Sequence, residues 1–555
     1  MKILALALSL LAAQTPYVET FEVRVQNLDV VVTDSKGKPV AGLTKDDFIV
    51  LDAGVPQEIS NFSAYQESAG NAAAPTTATP NATEPSSTEP PPRKVVFFID
   101  ELSLHPTSRA KLVRSAMQLL DGMSARDEAM VVAATGAENV VQALTNDRAA
   151  VRRALEKTMD ASFFRATTQT AIERRDLETQ MRMSASAAEM RIARLRYATT
   201  IKRRVEQRLG SLSALVASMA GLEGKKVLVL VTSSLAAMPG LDDASQERVE
   251  LVESFGRVVG EGAPGTFIES EVGPSTITPS VYDLRPLIQD LGRTAAASGI
   301  TIYPLQPDVP LEVLAPGAVE SRANRRTTNT QSYSSMLQNN EMTMVSLAET
   351  TGGRWFRGDG KIDDIFRQVA TDVRSYYSLG YHVKDQRDRA RRLEVRVKNR
   401  PELTVRTRHD VVEKSTEREM SDLTMATLLY THPVNELAIT ATAAAPRRVR
   451  DAYSIPLEVR IPMEKLTFLP SGEGRYTSSF RVHYAATGDR IDFVTGQQRE
   501  QRLELTEEQF KAIAGKVFRY TTEIVVTRGH YRIAVGVIDT TTRLTGFQTV
   551  SVNAE

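Results

Sequence analysis

Val95-Val96-Phe97-Phe98-Ile99-Asp100 decides the fold: five apolar residues in a row end on a carboxylate. A fully buried parallel strand reads as such an unbroken apolar run. A Pro-, Ala- and Thr-rich stretch precedes it, and a helical pattern follows over Thr107–Leu120. Ligands of open α/β sheets gather at the carboxyl ends of the strands, so Asp100 stands where such a fold keeps its chemistry. Ser103, a hydroxyl, follows three residues later.

Working outward, strand and helix patterns alternate from Lys94 to about Val411. Expected strands are Val95–Asp100, Ala129–Ala134, Lys226–Val231, Ile300–Pro304 and Tyr376–Val383, with two edge strands at Arg392–Val397 and Leu403–Arg408. Expected helices between them include Arg148–Met159, Leu284–Ala297 and Ile362–Val373. Such alternation predicts βαβ units, a mostly parallel sheet and helices on both faces. Residues 17–65 alternate like strands around the turn-rich Asp34–Pro39 and predict an N-terminal β module. Residues 66–93 lack the apolar content to offset ordering entropy and read as a disordered linker. From about Ser421 to Glu555, half-exposed strand patterns return (Leu457–Ile461, Ser478–His483, Thr521–Val526, Tyr531–Val537) and predict a C-terminal β domain.

Two insertions stand out. Residues 160–220 carry a long helical pattern. Between Arg165 and Arg208 it holds eleven basic and five acidic side chains, a net of +6. Such a helix is either a solvated amphipathic face or a basic arm for an anionic partner. Residues 240–285, repeatedly broken by Gly and Pro, predict a loop insertion.

Composition narrows the function. Lys+Arg and Asp+Glu are 68 each, so the chain lacks the basic excess of a dedicated nucleic-acid binder. There is no cysteine, which removes thiol nucleophiles, thiolate metal sites and disulfides. Met1-Lys2 followed by the apolar run Ile3–Ala13 reads as an export signal over residues 1–14. No later segment offers about 20 apolar residues, so no transmembrane anchor is expected once the signal is removed. A periplasmic or extracellular location follows. Catalytic patterns for zinc proteases, serine hydrolases and phosphate loops are missing. Gly221–Lys226 precedes its strand and reads as a turn, and the six histidines show no ligand spacing.

Several segments together carry a resemblance. Leu28–Asp34, Gly37–Val40, Gly42–Phe48 and Gln57–Ile59 lie before the linker. Gly224–Val231 lies in the centre, and Thr351–Phe356 and Tyr376–Tyr381 follow it. The chain resembles the von Willebrand factor A-related exported proteins known mainly from acidobacteria. The resemblance implies a Rossmann-like A domain, mostly parallel with helices on both faces, between β-sandwich-like flanking modules, and a binding role instead of catalysis. It also implies a metal-ion-dependent adhesion site, in which Asp-x-Ser-x-Ser, a Thr and a second Asp hold Mg²⁺.

This chain departs from that motif. Its first loop reads Asp100-Glu101-Leu102-Ser103-Leu104, with leucine at both serine positions. Thr167, Thr168 and Thr170 are the candidates for the threonine. Thr232-Ser233-Ser234 stands where the second aspartate belongs, and Asp242 and Asp243 lie eight or more residues on. A set with one carboxylate binds Mg²⁺ poorly. The expectation is a degenerate site at Asp100 and Ser103, with no resident cofactor. Asp100 either caps Ser103 or the helix at Thr107, or joins Glu101, Ser233 and Ser234 in a surface that meets a protein or envelope macromolecule directly. Two further readings stay open: a hydrolase centred on Asp100, Glu101 and His105, and a passive envelope scaffold touching anionic surfaces through the basic helix.

Overall fold

The computed structural model describes residues 24–65, 92–101, 103–104, 106–134, 138–158, 172–173, 176–177, 179–180, 183, 186–239, 282–307, 329–358, 362–383, 389–428, 434–472, 474–488, 493–497 and 500–555. The expected signal at 1–14, most of the linker at 66–93 and most of the loop insertion 240–285 lie outside them.

Four strands precede residue 92: β1 (Arg24–Thr33), β2 (Phe48–Asp52), β3 (Val55–Gln57) and β4 (Ile59–Tyr65). The decisive stretch forms β5 (Arg93–Asp100), so Arg93 belongs to the strand and not to the linker. After it come helix α1 (Pro106–Asp121), β6 (Glu128–Ala134), β7 (Glu138–Thr145) and α2 (Arg148–Lys157). Next are the 33-residue α3 (Ala187–Met219), β8 (Lys225–Val231), α4 (Arg285–Ala297) and β9 (Ile300–Gln306). Then follow α5 (Asn329–Thr351), β10 (Phe356–Arg357) and α6 (Ile362–Arg374).

The six strands of this unit form one mixed sheet in the order β10-β9-β8-β5-β6-β7, parallel except for β7. The two side-chain rows of β5 serve opposite faces, as a pleated strand requires. Val96 and Phe98 enter one core with α3, α4 and α5. Val95, Phe97 and Ile99 enter the other with α1, α2 and α6. The chain is thus α/β with a largely parallel sheet covered on both faces. The chain leaves β5 for β6 on one side and returns to β8 on the other. The strand order therefore reverses between β5 and β8, and Asp100 lies at the carboxyl end of that seam.

β11 (Tyr376–Val383), expected in the parallel sheet, lies elsewhere. It runs antiparallel between β1 and β4. β12 (Ala390–Val397) pairs with β2, β13 (Thr404–Arg406) with β1, and β14 (Asp410–Val412) with β12. Residues 24–65 and 376–412 therefore build two four-stranded sheets together. They share one core of Leu28, Val30, Phe48, Val50, Leu379, Leu393 and neighbours. The expected boundary between an N-terminal module ending at 65 and an A-like domain reaching 411 is corrected accordingly. Alternation identifies a strand, but the choice of partner depends on residues hundreds of positions away.

The Tyr376–Tyr381 motif now has a physical basis. Tyr377 donates to the Val40 carbonyl at 2.7 Å and accepts from the Leu43 amide at 3.2 Å; Tyr381 donates to Asp52 at 2.9 Å. A side chain at Gly380 would meet Asn27 and Asn61 at 2.9 Å each. The Gly352-Gly353 pair is explained similarly. Gly352 has φ +77°, and a Cβ on Gly353 would stand 1.9 Å from the Ile302 carbonyl.

Helix α7 (Thr416–Thr427) crosses the expected boundary at Ser421 and leads to the C-terminal unit. Its strands β15 (Thr440–Ala443), β16 (Arg447–Val449) and β17 (Ala452–Pro462) join one sheet. β18 (Leu469–Gly472), β19 (Arg475–Thr487), β20 (Phe493–Gln497) and β21 (Gln501–Thr506) join a second. After the short α8 (Glu507–Lys511), β22 (Val517–Val526) returns to β17, while β23 (Gly529–Asp539) and β24 (Thr545–Ala554) complete the second sheet. Both sheets share a core that includes Ile455, Leu457, Phe480 and Val535. Among the described residues no helix is long and apolar enough to cross a membrane.

Candidate functional site

Asp100 is fully buried at the end of β5. It continues the row of Val96 and Phe98, so its carboxylate turns toward the α3 face. There Arg208, buried on α3, donates from Nη1 to Asp100 Oδ2 at 2.8 Å and to the Ser234 carbonyl at 2.8 Å. Thr232, just past β8, donates to the same Oδ2 at 2.7 Å. Ser103 Oγ lies 3.2 Å from Thr232 Oγ1 and accepts from the Ser233 amide at 2.9 Å. Strands β5 and β8, the turns that follow them and helix α3 thus bring six residues into one buried polar cluster.

The expected pair of Asp100 and Ser103 is assembled, and Thr232 joins it. The place beside the carboxylate that a cation would take is filled by a guanidinium. Asp100 Oδ1 has no hydrogen-bond partner among the described residues. A divalent ion on this set would meet one carboxylate, two hydroxyls and a fixed positive charge already 2.8 Å from Oδ2. Mg²⁺ wants hard oxygen donors and several waters in octahedral array. The residues present do not fit it. Among the described residues no group of three His, Asp or Glu stands close enough to hold a metal.

The expectation that the Asp100 side chain caps Ser103 is corrected too. The Ser103 amide and hydroxyl bond to the Asp100 main-chain carbonyl, at 3.2 and 3.3 Å, so the turn closes without the Asp100 side chain. The expected binding surface of Glu101, Ser233 and Ser234 is likewise corrected, because all three are buried. The loop after β8 is held under α5. Asn340 Oδ1 accepts from the Leu235 amide at 2.7 Å, and Asn339 exchanges two hydrogen bonds with Met238. Leu102, His105, Thr167, Thr168, Thr170, Asp242 and Asp243 lie outside the described residues.

The sequence puts Arg208 in a stretch that reads as a solvated amphipathic face or a basic arm for an anionic partner, whereas the structure buries it. The helical period carries the missed signal. Val205, Leu209, Leu212 and Val216 are buried one turn or so apart, and Arg208 shares their face. Arg204, one turn earlier, pairs with Glu173 at 2.5 Å, and Lys202 pairs with Glu206 at 2.7 Å. Within the described part, the basic helix thus spends these three charges internally.

No family model matches the chain, and no curated protein matches it. Among solved structures, it is similar to an aerotolerance-related membrane protein from Bacteroides fragilis NCTC 9343 carrying multiple mutations to serine. That likeness has 12% identity and TM-score 0.22, and covers 50% of this chain and 98% of that one. A conserved hypothetical protein, BatB from Bacteroides thetaiotaomicron, gives 13% identity and TM-score 0.23 over 51% and 99%. A β-glucosidase from Kluyveromyces marxianus gives 9% and TM-score 0.12 over 61% and 33%.

Proposed function

We propose that the chain is an exported, non-enzymatic protein whose central unit is of the von Willebrand factor A type, between sandwich-like modules. It recognises a protein or another envelope macromolecule without a metal. One observation carries the metal-free part of this reading: the carboxylate at the strand-order reversal is neutralised by Arg208 inside the protein. An adhesion site of the metal-dependent kind must keep that carboxylate open to a cation and, through it, to the partner's own carboxylate. Here the same charge is spent on holding β5, β8 and α3 together. The hydrolase alternative asks Asp100 and Glu101 to meet a substrate, and both are buried.

The test uses the full chain as bait in envelope and secreted fractions, with one arm in Mg²⁺ and Mn²⁺ and one in EDTA. The expected result is the same saturable partner in both arms and an unchanged melting midpoint on adding either ion, because an ion that bound the native state would raise it. Partner binding lost in EDTA would overturn the metal-free reading. Substrate turnover abolished by Asp100→Asn would overturn the non-enzymatic one.

A further inference from the structure

The opposite edge of the same sheet holds a cavity of about 690 Å³. It lies at the amino ends of β8 and β9, where β1, the residues after β13 and helix α7 meet them. Val25, Asn27, Lys226, Thr301, Arg408 and Leu423 are among its walls. Its volume is that of a small-molecule site.

The charges around it are unevenly spent. Lys225 faces Asp29 at 3.4 Å and lies over the Tyr376 ring. Lys414 pairs with Asp422 at 2.6 Å, and Arg406 with Asp372 at 2.8 Å. Lys226 and Arg408 have no carboxylate in an ion pair among the described residues. Lys226, nearly buried, donates to the Ala220 and Leu222 carbonyls at 3.3 and 3.0 Å, at the end of α3. Arg408 donates to the Ala296 carbonyl at 3.4 Å and to the Asn27 carbonyl at 2.6 Å. Its Nε is buried without an acceptor.

Both cations converge on one glycine. A Cβ on Gly299, which has φ +68°, would lie 2.9 Å from Arg408 Nη1 and 3.9 Å from Lys226 Cε. Helix-end carbonyls attract a cation but carry only a fraction of an opposite charge. Asp29, Glu223, Glu413, Glu419 and Asp422 also line the cavity, but none of them forms an ion pair with the buried Lys226 or the half-buried Arg408, so these two neighbouring cations lack a direct counter-ion among the described residues. Burial first, and then Lys414 and Arg408, push the Lys226 ammonium down to about 7.

We propose that this cavity binds a small multivalent oxyanion, a phosphate or polycarboxylate, between the Lys226 ammonium and the Arg408 guanidinium. The anion would supply the direct counter-ion that the two cations lack and the acceptor that Arg408 Nε lacks. Since the walls come from three parts of the chain, occupancy would also tie β1, the mixed sheet and α7 together.

The experiment titrates the full chain at pH 6 with inorganic phosphate in one arm and citrate in another. Both are matched to NaCl at equal ionic strength and read by melting midpoint and calorimetry. The expected result is a saturable rise in midpoint with one of the anions, weakened at least tenfold in Lys226→Met. Which anion saturates identifies the class. Phosphate stabilises most proteins weakly by exclusion, but that effect does not saturate. A second readout follows acetylation of Lys226 in the native chain by mass spectrometry, which the bound anion should slow. No saturable rise over NaCl, an equal rise in Lys226→Met, or unprotected Lys226 would each overturn the proposal.

Discussion

Replacing Arg208 by methionine should be among the most damaging single changes in the central unit. Asp100 and Arg208 have side chains 1% and 8% exposed, and the guanidinium is the only charged donor to Asp100 among the described hydrogen bonds. Methionine removes that donor and leaves a buried carboxylate with the Thr232 hydroxyl alone. Breaking a buried pair from one side costs about 3–5 kcal/mol, because the remaining charge is uncompensated. With a urea slope of about 2–3 kcal/mol/M, the midpoint should fall by roughly 1–2 M. Trp355, the sole tryptophan, packs against the core shared by α3 and the sheet, so its fluorescence reports this layer. The double variant Asp100→Asn with Arg208→Met removes both charges. It should lose about 2 kcal/mol less than the two single losses summed, the coupling expected of residues in direct contact. A single Arg208→Met shift below about 0.5 kcal/mol, in the range of an ordinary surface change, or strict additivity would refute the view that this pair is the cluster's keystone.

Three further outcomes follow from the same geometry. His483 is 2% exposed, neither ring nitrogen has a partner among the described residues, and burial, with Arg481 nearby, pushes it down to about 4. The unfolded chain then binds the extra proton first. Stability should be full above about pH 6.5 and fall by up to roughly 3 kcal/mol as pH drops through 4. Urea midpoints between pH 4 and 7 should lose that slope in His483→Leu; an unchanged slope would assign it to other groups. Gly353→Ala sets a Cβ 1.9 Å from the Ile302 carbonyl and should cost well over about 2 kcal/mol, whereas Gly515→Ala, with open space and φ +71°, should cost only about 1–2 kcal/mol in thermal melts. A fragment starting at residue 92 strips both neighbours from β11 and should aggregate on size-exclusion chromatography, while one starting at residue 17 stays monodisperse.

The two ends of the central sheet differ in how they use charge. At the carboxyl end, Asp100 and Arg208 cancel within the core. At the amino end, Lys226 and Arg408 lean on carbonyls beside a cavity, with no carboxylate in an ion pair to either among the described residues. The first arrangement closes the site that the strand order would otherwise offer to a ligand. The second opens one where sequence motifs gave no reason to look, since neither residue sits in a recognisable anion-binding pattern.

Local sequence determined the elements of the central unit. The apolar runs became β5, β6, β8 and β9 to within a residue or two at most ends, and the amphipathic stretches became α2, α4 and α6, because period and burial are set within a few residues. The sequence also placed Asp100 at a strand's carboxyl end. Only the tertiary structure decided that β11 pairs with β1 and β4, which lie more than 300 residues earlier. It alone decided that Arg208, 108 positions from Asp100, meets it. Both depend on which distant surfaces pack together. No window of sequence holds that information, because a basic residue on a helix reads the same whether its neighbour is water or a buried carboxylate.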